Sequence, residues 1–431
     1  MKENRYVIPD NIQVLFETPS NDRFWFGYYN YCPIDDTGNK LLAHRWSSNE
    51  EEEREFNQND IIDVGWFDLQ TKQWHYVATT RACNWQQGAM SQWIFIDGEQ
   101  RIIFNDADNG VYISRIYNAD GTLYKNLPIA IYGINEKEQF SITINFERAY
   151  WCRAYHYQFI RDEQYNRELT DKDGIYKLDI KTGQFKKLID INSILQYDFN
   201  PDFLEGKHWV EHIMLNPQGN LFAFYHRFDN GTGYKTRCLV ADVEGHIICS
   251  LKDWTLHSWS HLGWIDNENF VIYGITRKPL GNLYSAVTLN SGKLGKFLRK
   301  IYRNLFSKHV SPQMHNKLAT GNGYEIYNIS GERLGIIDVD LLINDGHPSF
   351  TKDKHYMLTD TYAFDGKYRY LLLFDMEKKN LKVLGKFYSP INATSYRCDL
   401  HPRFGNSENI IVIDSAHSGR HGMIVLKICD E

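Results

Sequence analysis

Short runs of alternating apolar and polar residues fill most of the chain, and Gly, Asp and Asn separate them. Alternation with a period of two predicts β-strands rather than helices. The clearest runs are residues 40–45, 101–105, 174–179, 221–225, 270–273, 355–359 and 410–413. We therefore predict an all-β fold.

Four of these runs are preceded by the same pattern, which opens each unit. It consists of a His and a large apolar residue three positions later. The four copies begin at His212, His261, His347 and His401. Other strands share an ending in Asp before a turn, at Asp68, Asp179, Asp242 and Asp375. A unit of four short strands that recurs about every 50 residues is typical of a β-propeller.

Alignment of the copies predicts a seven-bladed β-propeller that occupies residues 1–431 as a single domain. The first three units span about residues 28–80, 85–128 and 130–191, and the last four begin at the four histidines. Residues 12–16 are expected to add a strand to the last unit, which closes the ring and removes exposed sheet edges. A pair of β-sandwiches is the alternative, but it does not predict one motif along the whole chain.

The fifth unit carries an insertion at about residues 280–318. Within it, residues 294–306 place Leu and Phe side chains on one helical face and Lys and Arg on the other, which predicts a basic amphipathic helix. Three roles stay open for this helix. It packs on the propeller rim, covers the central channel, or makes a peripheral contact with an anionic membrane or polysaccharide.

Composition narrows the function classes. The net charge of −6 leaves no sign of nucleic-acid binding, and 15% aromatic residues suit sheet surfaces and sugar-stacking platforms.

The 7 Cys are scattered without a C-x-x-C pair, which indicates reduced thiols. No signal peptide or membrane-spanning run is visible, so we expect a cytoplasmic protein. Nucleotide-binding loops, G-x-S-x-G and H-E-x-x-H are absent.

The four histidines are the first candidates for chemistry. The first strand of each propeller blade lines the central channel, so residues at equivalent positions converge near the axis. Three or four imidazoles in one place form a candidate site for Zn, Mn, Fe or Ni. Asp399 would add an oxygen ligand. The alternative is that each His only hydrogen-bonds to backbone at a common strand start.

Four arginines predict an anionic ligand. Arg45 and Arg227 each follow a His near a strand end, and Arg397 and Arg403 flank His401. A guanidinium is a planar fork that binds carboxylates and phosphates, so a uronic acid or a nucleotide sugar would fit. Pairing of each Arg with an Asp of a neighbouring blade is the alternative.

Two segments rich in amide and aromatic groups precede the predicted first strands of the first two units. They are Trp25-Phe26-Gly27-Tyr28-Tyr29-Asn30 and Asn84-Trp85-Gln86-Gln87-Gly88. Amides bind sugar hydroxyls and rings stack on pyranose faces, so Tyr29, Asn84 and Gln87 are candidate sugar-binding residues. Loop packing is the alternative.

Three blade starts resemble those of the oligogalacturonate-lyase-like β-propellers, polysaccharide lyase family 22. They are His261-Leu262-Gly263-Trp264, Asp345-Gly346-His347-Pro348-Ser349-Phe350 and Arg397-Cys398-Asp399-Leu400-His401-Pro402-Arg403-Phe404. The resemblance covers most of the chain and is strongest from His208 onward. The segments Trp-Phe-Gly-Tyr-Tyr and Asn-Trp-Gln-Gln-Gly also resemble a group of bacterial propellers associated with surface-polysaccharide gene clusters, to which no reaction is assigned.

The resemblance to the lyases implies a divalent metal on the axis, Mn²⁺ with Zn²⁺ as the alternative. It implies His261 and His401 as ligands, and the repeat adds His347. It also implies His212 as a catalytic base and Arg227 as the charge neutraliser. The family pattern Gln-x-x-His-Pro-His is altered here, because a Gln and a His are missing around His401.

Three functions are therefore compared. The first is a metal-assisted lyase that acts on uronate-containing sugars by β-elimination, with Tyr29 or Tyr155 as the acid. The second is a glycosyltransferase or other enzyme of surface-polysaccharide assembly, with the helix at 294–306 as its membrane contact. The third is a non-catalytic carbohydrate-binding or scaffold propeller. Fold alone does not choose among them.

Overall fold

The strands of the protein form seven antiparallel sheets, six with four strands and one with five. The computed structural model describes residues 5–47, 52–152, 157, 160, 166–231, 233–252, 259–275, 322–337, 339, 341–342, 344–363, 367–392 and 395–429. The predicted seven-bladed β-propeller is confirmed. The predicted insertion at 280–318, with its helix at 294–306, lies outside the described residues.

Two short strands precede the blades, β1 (Tyr6–Val7) and β2 (Ile12–Glu17). Blade 1 consists of β3 (Arg23–Trp25), β4 (Lys40–Trp46), β5 (Ile62–Asp68) and β6 (Trp74–Thr80). Blade 2 consists of β7 (Gln92–Ile96), β8 (Glu99–Asp108), β9 (Val111–Tyr117) and β10 (Leu123–Leu127). Blade 3 consists of β11 (Gly133–Asn135), β12 (Phe140–Ile144), β13 (Gly174–Asp179) and β14 (Phe185–Asp190).

Blade 4 consists of β15 (Lys207–Leu215), β16 (Leu221–Asp229), β17 (Tyr234–Asp242) and β18 (Ile247–Ser250). Blade 5 consists of β19 (Leu262–Trp264), β20 (Asn269–Ile275), β21 (Asn322–Asn328) and β22 (Arg333–Ile337). Blade 6 consists of β23 (Ser349–Phe350), β24 (Tyr356–Asp360), β25 (Tyr368–Asp375) and β26 (Asn380–Tyr388). Blade 7 consists of β27 (Arg403–Phe404), β28 (Ile410–Ser415) and β29 (Gly422–Ile428).

The N-terminal strands join the last two blades. β2 pairs with β29 and completes blade 7, so the predicted ring closure by residues 12–16 is confirmed. β1 pairs with β26 and makes blade 6 five-stranded, which the repeat did not predict. Two helices are described, α1 (Phe146–Cys152) and α2 (Ile191–Gln196), with a 3₁₀ turn at Pro201–Leu204. None of the described helices is long and apolar enough to span a membrane.

The middle strands of the blades are buried on both faces, because each sheet packs between two neighbours. Four consecutive residues of β16, Phe222 to Tyr225, have no exposed surface. Leu371 and Leu372 in β25 are likewise fully buried. Strict alternation therefore describes these strands poorly, since strands covered on both faces carry continuous apolar runs.

The recurrent Asp at the end of a third strand has a local structural role. Asp68 accepts hydrogen bonds from the backbone N–H groups of Gln70 and Thr71. Asp242 and Asp375 accept equivalent bonds from the turns that follow them. A carboxylate at this position satisfies the donors of a tight turn, which explains why the residue recurs.

The innermost strands are interrupted where they pass the axis. In blade 1, Trp25 pairs with His44, the chain then leaves the sheet, and Ile34 rejoins it opposite Leu41. The segment Trp25 to Asn30 therefore follows the first strand of its blade, and the predicted order is wrong. In β15 the register shifts between Glu211 and Met214. These interruptions deliver side chains to the centre of the ring.

Candidate active site in the axial cavity

Residues from six of the seven blades and their adjoining loops meet at one cavity near the axis, here called the axial cavity. Its volume is about 480 Å³ including the part open to solvent. It is lined by Tyr28, Tyr29, Gln86, Gln87, His212, Arg227, Ser260, His261, His347, Tyr362, Arg397 and His401. All four histidines of the repeat are in this set.

Three of these histidines cluster, with tilted and edge-to-face ring contacts. The ring centroids of His261 and His347 are 4.1 Å apart, and those of His347 and His401 are 4.2 Å apart. The Tyr29 ring lies within 5.1–6.3 Å of all three. His212 is farther away, with its ring 6.1 Å from that of His261. The sequence prediction that these side chains converge is therefore correct in geometry.

Each of these three histidines has a carboxylate on the Nδ1 side of its ring. His347 Nδ1 lies 2.8 Å from Asp360 Oδ1, and His261 Nδ1 lies 3.1 Å from Asp345 Oδ1. His401 Nδ1 lies 3.9 Å from Asp414 Oδ2. A carboxylate on one ring nitrogen fixes the tautomer and leaves Nε2 as the basic atom, the usual arrangement behind a metal-binding imidazole.

Burial favours the form of His261 that binds metals. Burial lowers the pKa of His261, and the neighbouring His347 lowers it further. A neutral imidazole is the ligand form, because a protonated ring has no lone pair. The donor set thus fits a divalent transition metal held by His261, His347 and His401.

Asp399 offers an alternative third donor. Ligand atoms of His347, Asp399 and His401 lie within 4.8 Å of one another. However, Arg369 and Arg397 each contact Asp399 at 2.7 Å. Although burial opposes ionisation, these guanidinium groups hold the pKa of Asp399 far below its usual range. Two guanidinium groups thus occupy this carboxylate, while His261 lies outside the group of ligand atoms within 4.8 Å, so binding through all three imidazoles requires its ring to move closer to the other two.

A buried cluster of Arg227, Glu211 and His212 lies beside the three clustered histidines. The Arg227 guanidinium lies 2.5 Å from Glu211 Oε1, and Glu211 Oε2 lies 3.7 Å from His212 Nδ1. Arg227 also packs over the rings of Tyr225 and Tyr234. His212 sits in the β15 bulge with a φ of 59°, and His401 has a φ of 42°. Positive φ is costly for residues other than Gly, and such conformations cluster at functional sites.

The cavity favours anions. Arg227 and Arg397 line it, and no carboxylate is among its described lining residues. The Arg397 Nε donates to Asp399 Oδ2 and its guanidinium stacks on Tyr362. The carboxylates lie behind the lining side chains, where they orient cations and imidazoles without facing the ligand space.

Two glycines explain how the aromatic and amide segments reach the axis. Gly27 has a φ of 99°, and a Cβ there would lie 2.6 Å from the backbone of Gln87. Gly88 has a φ of 58°, and a Cβ there would overlap the His44 ring. Only Gly allows these two loops to pack this closely. The packing places Tyr28, Tyr29, Gln86 and Gln87 in the cavity wall.

Three predicted ligand-binding residues lie outside the lining. Arg45 pairs with Asp63 on the adjacent strand, where their atoms are 2.9 Å apart. Arg403 is buried against Asp414 at 2.9 Å and donates to the Gly27 carbonyl. Asn84 accepts hydrogen bonds from the backbone N–H groups of Gln86 and Gln87. These three side chains hold strands and loops in place, and Tyr155 lies outside the described residues.

Several contributors were missed by the sequence analysis as site residues. Four of them line the cavity, namely Tyr28, Gln86, Ser260 and Tyr362. Four more are the carboxylates Glu211, Asp345, Asp360 and Asp414. A spacing signal existed for two of these, because Asp360 and Asp414 each follow their partner His by thirteen residues. Asp345 has no such signal, since it contacts the His of the preceding blade.

Comparison with known proteins supports the fold. No protein-family model matches the chain, and a search of curated protein sequences finds no match. The oligogalacturonate lyase from Vibrio parahaemolyticus is 12% identical, with 98% of this chain and 96% of that chain covered and a TM-score of 0.59.

Two further solved structures are similar. Acylaminoacyl peptidase from Pyrococcus horikoshii is 12% identical, with 92% of this chain and 49% of that chain covered and a TM-score of 0.49. An oligogalacturonate lyase in complex with manganese is 14% identical, with 97% of this chain and 93% of that chain covered and a TM-score of 0.61. At this level of identity the similarity to the two lyases shows the fold, which is a β-propeller like theirs.

Proposed function

We propose that the axial cavity is the active site of a metal-assisted lyase that cleaves uronate-containing oligosaccharides by β-elimination. One observation carries the proposal. Three clustered imidazoles, two of them within hydrogen-bond distance of a carboxylate at Nδ1 and the third 3.9 Å from one, lie beside His212 and Arg227 in a cavity whose described lining contains no acid. That arrangement suits a cation, a base and an anionic sugar at one place.

His261, His347 and His401 would hold the metal ion. The similar lyase that binds manganese favours Mn²⁺ here, with Zn²⁺ as the alternative. When bound, the ion would supply positive charge that stabilises a uronate carboxylate as it gains electron density. The carboxylates Asp345 and Asp360 would keep the imidazoles oriented toward the ion.

The two lining arginines define the substrate class. A uronide carries its carboxylate at C6, and a planar guanidinium can bind it through two parallel hydrogen bonds. Arg227 and Arg397 stand in different blades and flank the histidines, so one sugar can meet both charges. Glu211 and Asp399 already pair with these two guanidinium groups, so a uronate carboxylate would bind to their remaining donors.

His212 is the proposed base. β-Elimination requires removal of the C5 proton, and neutralisation of the adjacent carboxylate makes that proton more acidic. Glu211, close to both His212 and Arg227, orients the pair. The bulge at His212 directs the ring away from the sheet and into the cavity.

Metal analysis and a lyase assay together test the proposal. Protein purified without chelator or metal-affinity steps is expected to contain near-stoichiometric Mn²⁺ or Zn²⁺ by mass spectrometry. With oligogalacturonate it should produce a double bond conjugated to the carboxyl group, followed by ultraviolet absorbance. His212→Ala should keep the metal and lose the absorbance change.

His246→Ala is the matched control, because His246 is exposed and lies at a turn of blade 4. It should retain metal and activity. Metal-free wild-type protein that binds acidic oligosaccharides without cleaving them would contradict the lyase and support a carbohydrate-binding propeller. Activity only with an activated sugar donor would support a transferase instead.

A further inference from the structure

We infer that Tyr28 donates the proton to the departing sugar oxygen, and that Gln87 and Tyr132 orient its hydroxyl for this step. The inference rests on the proposed lyase function and assigns the acid that β-elimination also requires. Its basis is a directed chain of hydrogen bonds that ends in the axial cavity.

The direction of the chain follows from its first member. The Gln87 Nε2 amide donates to the Tyr132 hydroxyl oxygen over 3.0 Å. The Tyr132 hydroxyl then donates to the Tyr28 oxygen, also over 3.0 Å. An amide NH₂ can only donate, so Tyr132 accepts from Gln87, and the geometry of its own hydroxyl directs the Tyr132 hydrogen to Tyr28. The hydrogen of Tyr28 is thereby left for a group in the cavity, which Tyr28 lines.

Neighbouring tyrosines are arranged differently. The Tyr29 hydroxyl donates to the Leu262 carbonyl over 2.7 Å, so its proton is held by backbone. The Tyr31 hydroxyl donates to the Tyr132 carbonyl over 2.8 Å. Both protons therefore have fixed acceptors in the fold, and the earlier choice of Tyr29 as acid is replaced by Tyr28.

Tyr28 also has a suitable position relative to the base. Its ring centroid lies 6.2 Å from that of His212. Elimination removes a proton at C5 and breaks the bond to oxygen at C4, which are adjacent carbons of one sugar. A base and an acid on neighbouring parts of the cavity wall can therefore serve the two ends of the same reaction.

The step balances without any added reagent. His212 takes the C5 proton, and the electron pair of that C–H bond becomes the C4–C5 double bond. The C4–O bond breaks with its pair on oxygen, which receives the Tyr28 proton and becomes a hydroxyl group. The proton on His212 then returns to the Tyr28 phenolate through water, and both residues regain their starting forms.

The local environment supports a protonated Tyr28. Burial raises the pKa of Tyr28 well above its ordinary value, so the hydroxyl keeps its proton before the reaction. A sugar alkoxide is a stronger base than a phenolate, so transfer to the leaving oxygen is favourable as the bond breaks. The Tyr132 hydroxyl lies 3.0 Å from the Tyr28 oxygen and holds it in place during the transfer.

Leaving-group dependence tests the assignment. Tyr28→Phe should lower the elimination rate on oligogalacturonate by about 10²–10⁴-fold, the usual contribution of a general acid. On a uronide that carries 4-nitrophenol at O4 the loss should be much smaller, because this leaving group departs without a proton. Exchange of the C5 hydrogen in D₂O, followed by NMR, should persist because His212 is intact.

Tyr132→Phe tests the positioning role without changing Tyr28 itself. It should give a smaller loss on oligogalacturonate with the same dependence on the leaving group. Tyr31→Phe is the matched control, since it removes a buried hydroxyl from the same segment outside the axial cavity. It should keep wild-type rates on both substrates.

Two results would overturn the inference while leaving the lyase in place. In the first, Tyr28→Phe cleaves oligogalacturonate as fast as wild type. In the second, it loses equal activity on both substrates although thermal unfolding shows a folded protein. Wild-type protein that neither cleaves a uronide nor exchanges its C5 hydrogen would instead overturn the proposed function, and the assignment of Tyr28 with it.

Discussion

Buried histidines occur in two regions of this propeller, and the groups that contact their rings differ. On the axis, His261 and His347 have carboxylates at Nδ1. Within the blades, His44 contacts the Trp25 carbonyl and the Ser91 hydroxyl. His208 and His226 contact each other over 3.0 Å, and Arg237 lies beside His226.

The contrast concerns these two sets only, because His417 and His421, buried outside the axial cavity, also face the carboxylates of Glu17 and Glu53. Burial lowers the pKa of His44 and of His208 to about 4, and no carboxylate contacts either ring among the described residues. These rings fill space as neutral side chains. The axial rings have anionic partners on the side away from the cavity, so a positive ion at their other nitrogen would be stabilised.

The largest expected effect is a difference in metal content between variants of the axial histidines and variants of the blade histidines. His261→Ala/His401→Ala should lose the metal completely and with it elimination, because one imidazole cannot hold a divalent ion alone. His44→Ala should retain the metal, because its ring contacts Trp25, Ser91 and Ala89 and is hydrogen-bonded to none of the axial histidines. Mass spectrometry of the purified variants measures the difference.

Thermal unfolding must accompany this measurement, because His44→Ala opens space in a packed blade. A folded double variant that retains stoichiometric metal would place the ion elsewhere. Metal loss in a folded His44→Ala variant would show that the two regions are not separate.

A similar contrast holds for the two His-Arg pairs. Arg45 lies opposite Asp63 on the next strand and binds it at a partly exposed position. Arg227 lies opposite Thr236, which offers no charge, and turns to the fully buried Glu211. The residue across the strand therefore decides which arginine reaches the cavity.

Arg227→Met should lower the free energy of unfolding by about 3–5 kcal/mol, because Glu211 is left as a buried charge without its cation. Arg45→Met should cost about 0–1 kcal/mol, since partly exposed pairs contribute little. Chemical denaturation measures both. Arg227→Met/Glu211→Gln should recover most of the loss, and failure to recover would mean that packing over Tyr225 and Tyr234 dominates.

The free energy of unfolding at acidic pH should depend on the protonation of the blade histidines. The His44 pKa is about 4 in the folded protein and 6.5 without burial. As pH falls from 6.5 to 4, the unfolded chain binds a proton that the folded chain does not, so stability decreases. This group should account for about 3 kcal/mol of that decrease.

The test compares the pH dependence of unfolding in wild type and His44→Gln. The variant should show a flatter dependence between pH 6.5 and pH 4, whatever its stability at neutral pH. His246→Gln serves as control because His246 is exposed. An unchanged slope in His44→Gln would mean that the ring is already protonated or already free to titrate when folded.

How far the sequence predicts this molecule depends on whether a feature repeats. The histidine starts and turn aspartates recur, so blade number and the convergence of four histidines were predictable. Arg45 and Arg227 share a motif, but their destinations depend on a cross-strand partner that a repeat alignment does not consider. Tyr28 reaches the axis through Gly27, whose close contact with Gln87 is a tertiary feature.

The smallest expected effect concerns the carboxylates behind the axial rings. Asp360→Asn keeps the shape but removes the charge that faces His347 Nδ1. Metal affinity should fall by about 10–100-fold, the usual cost of losing an outer-shell partner. Asp63→Asn is the matched control, since Asp63 holds Arg45 in blade 1 and should leave affinity unchanged. Calorimetric titration of Mn²⁺ or Zn²⁺ into metal-free protein measures both. Equal affinity in Asp360→Asn and wild type would mean that the three rings are held by packing alone, and the contrast between axial and blade histidines would then rest on position rather than on charge.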